Sequence, residues 1–273
     1  PYYFNPLYKF GKLEEPILNK VFYCILSVAL GKKLSKPYKA PENLIKKPLF
    51  LLSHDCDILH GNDKYTFSIR LLRCLKFLVT LNPLFINYFL SIFVNLAKPK
   101  KFFFDEAVAM ADLERQFGFK STFYLLNGEK GRYGARSGDN LLYELVAALD
   151  PGHDIGIHYN YKYASSQEKL YRQLTALQKT IGQKIISGRA HYLALDLYLC
   201  KKNIEKAGIL IDESYGYSTH NSFACGYAGI FPLGTEKGSI ISIPLTFMDK
   251  NIQLDPINSS FWKMLAKLKN SVD

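Results

Sequence analysis

Short apolar runs alternate with segments of helical periodicity along most of the chain. The first run, Leu49 to Leu52, has the length of a buried strand. The expected helices after it cover residues 105–117, 139–149, 166–181 and 195–207. The expected further strands cover residues 119–126, 154–158, 185–192, 209–212 and 239–247. Strands that alternate with helices of this length predict βαβ units, and the number of units predicts an α/β fold with a distorted or incomplete (β/α) barrel.

Two segments lie outside this alternation. Residues 1–46 predict an N-terminal helical entry segment followed by a basic linker. Residues 66–98 are strongly apolar but are interrupted at Asn82-Pro83, which predicts two amphipathic helices that cover the domain or lie on a membrane surface. A single membrane-spanning helix is the alternative, because the stretch is long enough for one. Residues 47–273 are expected to form the main domain, with 66–98 as a hydrophobic helical insertion and a C-terminus that is either complete or truncated.

Composition and charge restrict the partners. The chain has 273 residues and a formal net charge of +11, which favours anionic partners such as glycans, phosphorylated carriers or an anionic membrane face. Nucleic acid is not an expected partner, since no nucleic-acid-binding motif is present. The five cysteines are scattered without a C-x-x-C pair. This pattern favours a reducing compartment, so we expect a cytoplasmic protein. Peripheral contact with the inner face of the membrane is compatible with that location.

The first predicted strand ends in two carboxylates, Asp55 and Asp57. Alternate side chains of a strand share a face, so both carboxylates point to the same side. Two like charges this close either raise one pKa or hold a cation between them. The alternative is a strand that simply continues into an acidic loop.

The later strands also end in ionisable or polar residues. The third expected strand ends in His158, the fourth in Arg189 to Tyr192, and the fifth in Asp212. A parallel barrel collects its chemistry at these carboxyl ends. Carboxylate and imidazole together suit Zn²⁺ or a similar divalent metal with an open water position. Such an ion would acidify its water, and a second carboxylate could act as general base.

The order of these motifs resembles the polysaccharide deacetylase family (NodB homology, carbohydrate esterase 4), of which the chain would be a divergent member. The similarity extends over about residues 49–249. It is carried by five segments, which are 51–57, 120–124, Gly-His-Asp-Ile-Gly-Ile-His at 152–158, Arg-Ala-His-Tyr at 189–192, and 212–217 with its sequel Cys225-Gly226 and Phe231-Pro232. The resemblance implies a barrel of the NodB-homology type. It also implies metal-dependent hydrolysis of N-acetyl groups from a polysaccharide or a lipid-linked glycan.

The resemblance further implies roles for individual residues. Asp55 would be the general base, and Arg189 would orient it through a charge-assisted hydrogen bond. Asp57 and His158 would bind the metal, which we expect to be zinc. The backbone N–H of Tyr192 would donate a hydrogen bond to the oxyanion. Asp212 would not contact the metal or the substrate but would tune the residues that do.

Three departures from the family pattern change this assignment. Lys162 stands where the family has its second histidine ligand, and a protonated lysine offers no lone pair to a metal. His191 occupies the proline position of the third motif, and we predict it as the replacement ligand. The tryptophan expected after the fourth motif is not at Gly216, so Tyr215 or Tyr217 is predicted to contact the substrate instead. The last motif, Leu-x-His, has no match, which leaves the general acid unassigned.

Two alternatives to the enzyme follow from these departures. The first is a catalytically impaired barrel that binds glycan or metal without turnover, suggested by Lys162 and by the missing last motif. The second is a membrane-associated scaffold, suggested by residues 66–98 and the basic charge. Of the remaining histidines, His153 is expected to be structural. The other histidines, His54, His60 and His220, remain available, and none of them is assigned to the leaving amine.

Overall fold

A computed structural model describes residues 51–60, 64–97, 101–130, 134–149, 151–218, 221, 229–233 and 240–249. The predicted entry segment and linker at 1–46, His220, and the Cys225-Gly226 sequel of the fourth motif lie outside these residues. Seven strands and six α-helices are found in the described part. The chain divides into two compact units, and each is described by itself.

The first unit comprises Leu52–Asn160 and Glu168–Ile185. Its strands are β1 (Leu52–Cys56), β2 (Ser121–Leu125) and β3 (Asp154–Tyr159), which pair in parallel in the order β1-β2-β3. Its helices are α1 (Lys64–Val79), α2 (Leu84–Leu96), α3 (Phe102–Gln116), α4 (Asp139–Ala148) and nearly all of α5 (Gln167–Ile181). Strand β2 is almost entirely buried, since it lies between β1 and β3.

Helices α1 and α2 form a hairpin that breaks at the predicted position. Asn82 Oδ1 accepts a hydrogen bond from the Leu84 N–H at 3.0 Å, and Pro83 is tolerated there because its missing N–H would have no partner at a helix start. The two helices are held together in part by Arg70, whose Nη1 donates to the Ser91 carbonyl oxygen at 3.3 Å. None of the helices in the described ranges is long and apolar enough to cross a membrane.

The second unit contains Tyr161–Gln167 and the described residues from Ile186 onward. Its strands are β4 (Ser187–Ala190), β5 (Ile211–Asp212), β6 (Phe231–Pro232) and β7 (Ile241–Ser242), in the order β4-β5-β7-β6. All of these pairs are parallel except β6 with β7, which is antiparallel. Strand β6 was not predicted, because a two-residue strand that contains proline gives no period-two signal.

Helix α6 (Leu197–Ala207) begins two residues later than predicted. The Asp196 side chain accepts a hydrogen bond from the Leu199 N–H at 3.1 Å and so caps the helix at that point. At the other end Gly208 has a φ of 96°, a left-handed conformation that glycine adopts without strain.

The predicted fold class is confirmed. The described strands are predominantly parallel and alternate with helices, as βαβ units require. No pairing among the described strands closes them into a barrel, which agrees with the incomplete form that was expected. Strands β4, β5 and β7 are shorter than predicted, since only the residues that pair with a neighbour count as strand.

Candidate metal centre

The register of β1, β2 and β3 explains how Asp57 and His158 come together. Cys56 pairs with Leu125, and Leu125 pairs with Ile157. Asp57 directly follows Cys56 on β1, and His158 directly follows Ile157 on β3. Residues at the same level of a parallel sheet share a face, so the carboxylate and the imidazole project to the same side.

The distances agree with this placement. Asp57 Oδ1 lies 3.1 Å from His158 Nε2, and Asp55 Oδ2 lies 3.9 Å from the same nitrogen. The His158 side chain is 2% exposed, whereas the Asp55 side chain is 27% exposed and accessible to water. Thus the two carboxylates of the Asp-x-Asp motif point to one imidazole, as the alternation predicts.

Burial raises the pKa of the Cys56 thiol, and the charges of Asp55 and Asp57 on either side of it raise the pKa further. Cys56 points to the opposite face of β1 and stays protonated at neutral pH, so it is not expected to act as a thiolate ligand. The ligands of this site are therefore oxygen and nitrogen atoms.

His191 and Tyr192 follow β4 in a short 3₁₀ turn, where a continued strand was predicted. The backbone turns here because Tyr192 adopts a left-handed φ of 65°, which is uncommon for a bulky residue. The two rings stack with a centroid distance of 4.0 Å and an interplanar angle of 16°. His191 is buried, whereas Tyr192 is half exposed. Strain of this kind tends to cluster at functional sites.

Asp57 and His158 each offer one ligand atom, an oxygen and a nitrogen, within the first unit. Two ligands of a tetrahedral zinc ion, each about 2.1 Å from the metal, are roughly 3.4 Å apart. The 3.1 Å separation of Asp57 and His158 is close to that value. One carboxylate and two imidazoles also form a donor set that leaves a fourth position open. Asp57 and His158 therefore fit two ligands of a divalent metal, and His191 stays a predicted third ligand.

Arg189 has a carboxylate partner that sequence analysis did not name. Its Nη2 lies 2.6 Å from Glu213 Oε2, and its Nε donates to the Glu213 carbonyl oxygen at 3.3 Å. The two side chains are 2% and 9% exposed. A buried guanidinium with one hydrogen bond to a carboxylate and another to the backbone of the same residue is held in a single orientation. The predicted contact of Arg189 with Asp55 stays a prediction.

Asp212 is fully buried and acts on the backbone of β4 through one serine. Its Oδ1 accepts from the Ser214 N–H and its Oδ2 from the Ser214 hydroxyl, both at 3.0 Å. The Ser214 hydroxyl oxygen in turn accepts from the Ala190 N–H at 2.8 Å. Ala190 immediately precedes His191, so this chain of bonds fixes the point at which the predicted ligand leaves the strand.

Tyr215 and Tyr217, the predicted substrate contacts, flank a glycine that excludes any side chain. The Tyr215 ring packs edge-on against Phe231 with centroids 6.1 Å apart, and Tyr217 is 8% exposed. Gly216 forms a parallel bridge with Leu245. A Cβ atom at Gly216 would lie 2.5 Å from the Leu245 carbonyl oxygen. The aromatic residue that the family pattern places here therefore has no room.

Gly216→Ala is expected to destabilise the protein by about 1–3 kcal/mol, because a backbone atom must move to admit the methyl group. Chemical denaturation of the purified variant would measure this loss. Gly138→Ala is the matched control, since nothing lies within 4 Å of a Cβ at that position. Equal unfolding midpoints for the two variants would contradict the close approach at Gly216.

On the opposite face of β1, His54 belongs to a separate polar cluster. His54 Nε2 lies 2.7 Å from Glu114 Oε1, and the Ser121 hydroxyl donates to Glu114 Oε2 at 2.6 Å. His153 Nδ1 accepts from the Ser121 N–H at 3.3 Å, which supports the expectation that His153 is structural. His54 faces away from Asp55 and Asp57, so it does not supply the missing general acid.

Comparisons with known proteins give a distant likeness. No protein-family profile matches the chain, and no curated protein matches it. Among solved structures, a candidate polysaccharide deacetylase from Mycobacterium smegmatis is 17% identical, with a TM-score of 0.41, over 72% of this chain and 58% of that protein. The chain thus spans under two thirds of that protein's length.

Two further solved structures are similar to the chain. The chitin deacetylase of Colletotrichum lindemuthianum is 17% identical, with a TM-score of 0.32, over 62% of this chain and 76% of that one. The Xyl-CE4 domain of a multidomain xylanase from the hindgut metagenome of Trinervitermes trinervoides is 17% identical, with a TM-score of 0.30, over 60% and 77%.

Proposed function

We propose that the chain is a metal-dependent carbohydrate N-deacetylase that hydrolyses N-acetyl groups of a polysaccharide or a lipid-linked glycan. The observation that carries the proposal is the pair Asp57 and His158, whose ligand atoms lie 3.1 Å apart, with a second carboxylate, Asp55, 3.9 Å from the same imidazole. Ligands and a spare carboxylate in this arrangement are what hydrolysis of an amide at neutral pH requires.

Asp57, His158 and His191 would hold the ion, for which zinc is our proposal because the donor set is one oxygen and two nitrogens. When bound, a divalent metal supplies Lewis acidity to a carbonyl and to water. Lys162 is solvent-exposed, with its Nζ 5.8 Å from the centre of the Tyr161 ring, so it is turned toward an aromatic face.

Asp55 would act as the general base. Its carboxylate is accessible to water and lies on the same face as Asp57. It would take the proton of the water that attacks the acetamide carbonyl. The C–N bond then breaks to give acetate and a free amine, and the proton held by Asp55 is available to the departing nitrogen. This return of the proton lets one carboxylate act first as base and then as acid.

Arg189 and Tyr192 would stabilise charge around this step. Arg189 carries a permanent positive charge, and its position is fixed by Glu213. The backbone N–H of Tyr192 is proposed to donate to the oxyanion that forms at the carbonyl oxygen.

The proposal is tested by hydrolysis of N-acetylglucosamine oligomers, followed by detection of released acetate and of free amines. The purified full chain is assayed with added Zn²⁺ and again after chelation. Release that depends on the metal is the expected result. A protein that holds about one equivalent of metal but releases no acetate from any N-acetylated glycan would instead be the non-catalytic binding barrel.

His191→Ala is expected to lower metal occupancy greatly, because two protein ligands hold zinc far less tightly than three. Elemental analysis of the dialysed protein measures this loss. His153→Ala is the control, since it removes a buried imidazole that contacts the Ser121 N–H and not the ligand group. Full metal content in the His191 variant would overturn the assignment of this histidine as the third ligand.

A further inference from the structure

The hairpin of α1 and α2 carries a broad apolar surface that is open to solvent. Thirteen large apolar residues between Leu71 and Leu96 are exposed. On α2 they include Phe89, Leu90, Phe93 and Val94, which are 49%, 56%, 56% and 60% exposed. Scattered exposed apolar residues are ordinary, but a contiguous set of this size marks an interaction surface.

Helix α2 is apolar over most of its circumference. It contains no charged residue, and the polar residues Asn87 and Ser91 are one turn apart and so lie on the same side of the helix. Ile92 is the one side chain of α2 that is buried among those the structure describes. A wide apolar helix face is normally buried against protein or in lipid. The exposed apolar side chains of α2 therefore need a further partner.

The charges of the hairpin have one sign. The segment 64–97 contains four basic residues and no acidic residue, and Lys98 and Lys100 follow it in the chain. On α1, Arg73 and Lys76 are exposed beside the apolar positions Leu72 and Leu75. An apolar face on a hairpin whose charged residues are all basic is complementary to a bilayer with anionic headgroups.

The length of α2 limits how it can enter lipid. Thirteen residues of α-helix are about 20 Å long, whereas the hydrocarbon core is about 30 Å thick. The helix therefore fits a position in the plane of the interface, with its apolar side chains at the boundary between headgroups and acyl chains.

We propose that the α1–α2 hairpin docks the protein on the surface of an anionic lipid bilayer. The apolar residues of α2 enter the interface, and the basic residues of α1 contact the headgroups. This inference does not depend on the deacetylase proposal, because it concerns a different surface and requires no catalysis.

The test is sedimentation of the full chain with lipid vesicles. One preparation contains phosphatidylserine and phosphatidylcholine in equal parts, and the other contains phosphatidylcholine alone. Binding to the anionic vesicles that weakens as salt rises is the expected result. Arg73→Gln and Lys76→Gln should each weaken binding about fivefold, since one basic residue near an anionic surface contributes about 1 kcal/mol.

The apolar contribution is tested by the double variant Phe89→Glu with Phe93→Glu. It is expected to weaken vesicle binding at least about tenfold, because two apolar rings no longer enter the interface. Tyr171→Glu is the matched control, since Tyr171 is 54% exposed on α5 in the same unit and lies outside the hairpin. Circular dichroism verifies that both proteins are folded.

Three outcomes would overturn the proposal. The first is no sedimentation with anionic vesicles. The second is equal loss of binding in the double variant and the control. The third is a dimer that the double variant converts to a monomer without any vesicle binding, which would assign the surface to a second copy of the chain.

Discussion

Asp55→Asn is expected to lower the turnover of deacetylation at least about 10²-fold while metal content stays nearly unchanged. General base catalysis typically contributes about 10²–10⁴-fold, and asparagine keeps the shape of the side chain but cannot take a proton. Asp55 lies 3.9 Å from His158 and is accessible to water, so it is placed to act on a water molecule and is not one of the three proposed ligands. Steady-state assays and elemental analysis of the same preparation would measure both quantities.

Asp57→Asn is the matched comparison, two residues away on the same face of the chain. It replaces a proposed ligand 3.1 Å from His158 Nε2 and is expected to lose metal and activity together. A protein that is merely destabilised would not separate the two measurements in this way. Unchanged turnover in Asp55→Asn would remove Asp55 from the mechanism and leave the metal site intact.

Glu213→Ala is expected to reduce the free energy of unfolding by about 3–5 kcal/mol. Glu213 pairs with Arg189 at 2.6 Å, and both side chains are at least nine-tenths buried. Removing one partner leaves the guanidinium charge without its paired carboxylate in a region of low dielectric constant. Urea denaturation measures the effect directly, provided that the transition is a single cooperative step.

Glu168→Ala provides the exposed counterpart on helix α5. Glu168 pairs with Arg172 one helical turn away, and both side chains are more than 70% exposed. Its loss is expected to cost no more than about 0.5 kcal/mol. The double variant Arg189→Met with Glu213→Leu should recover much of the stability lost in Glu213→Ala, because apolar groups of similar size can replace a buried ion pair. It should not recover activity if Arg189 acts in catalysis.

The sequence predicted the part of the site that depends on strand periodicity. Alternation placed Asp55 and Asp57 on one face, and the end of an apolar run placed His158 beside them, as the distances bear out. Such features are local, since a strand has a period of two wherever it lies. The break at Pro83 was predictable for the same reason, because the restriction lies in the proline ring itself.

Features that arise from tertiary contacts were missed. Glu213 follows Asp212 within the fourth motif, and nothing in the sequence pairs it with Arg189, 24 residues earlier. The strand predicted to run to Tyr192 instead ends at Ala190, where the Ser214 hydroxyl oxygen accepts a hydrogen bond from the Ala190 N–H. Gly216 was read as a missing aromatic residue, whereas the close approach of Leu245 is what requires glycine.

The two faces of β1 carry different chemistry, and this makes the strand sensitive to changes in length. His54 contacts Glu114 on one side, while Asp55 and Asp57 approach His158 on the other. Deleting one residue before Ser53 would shift the pairing with β2 by one position and exchange the faces. The imidazole of His54 would then point toward His158, and both carboxylates would be forced under helix α3. Natural variation in this strand should therefore consist of substitutions, with insertions and deletions confined to the loops on either side.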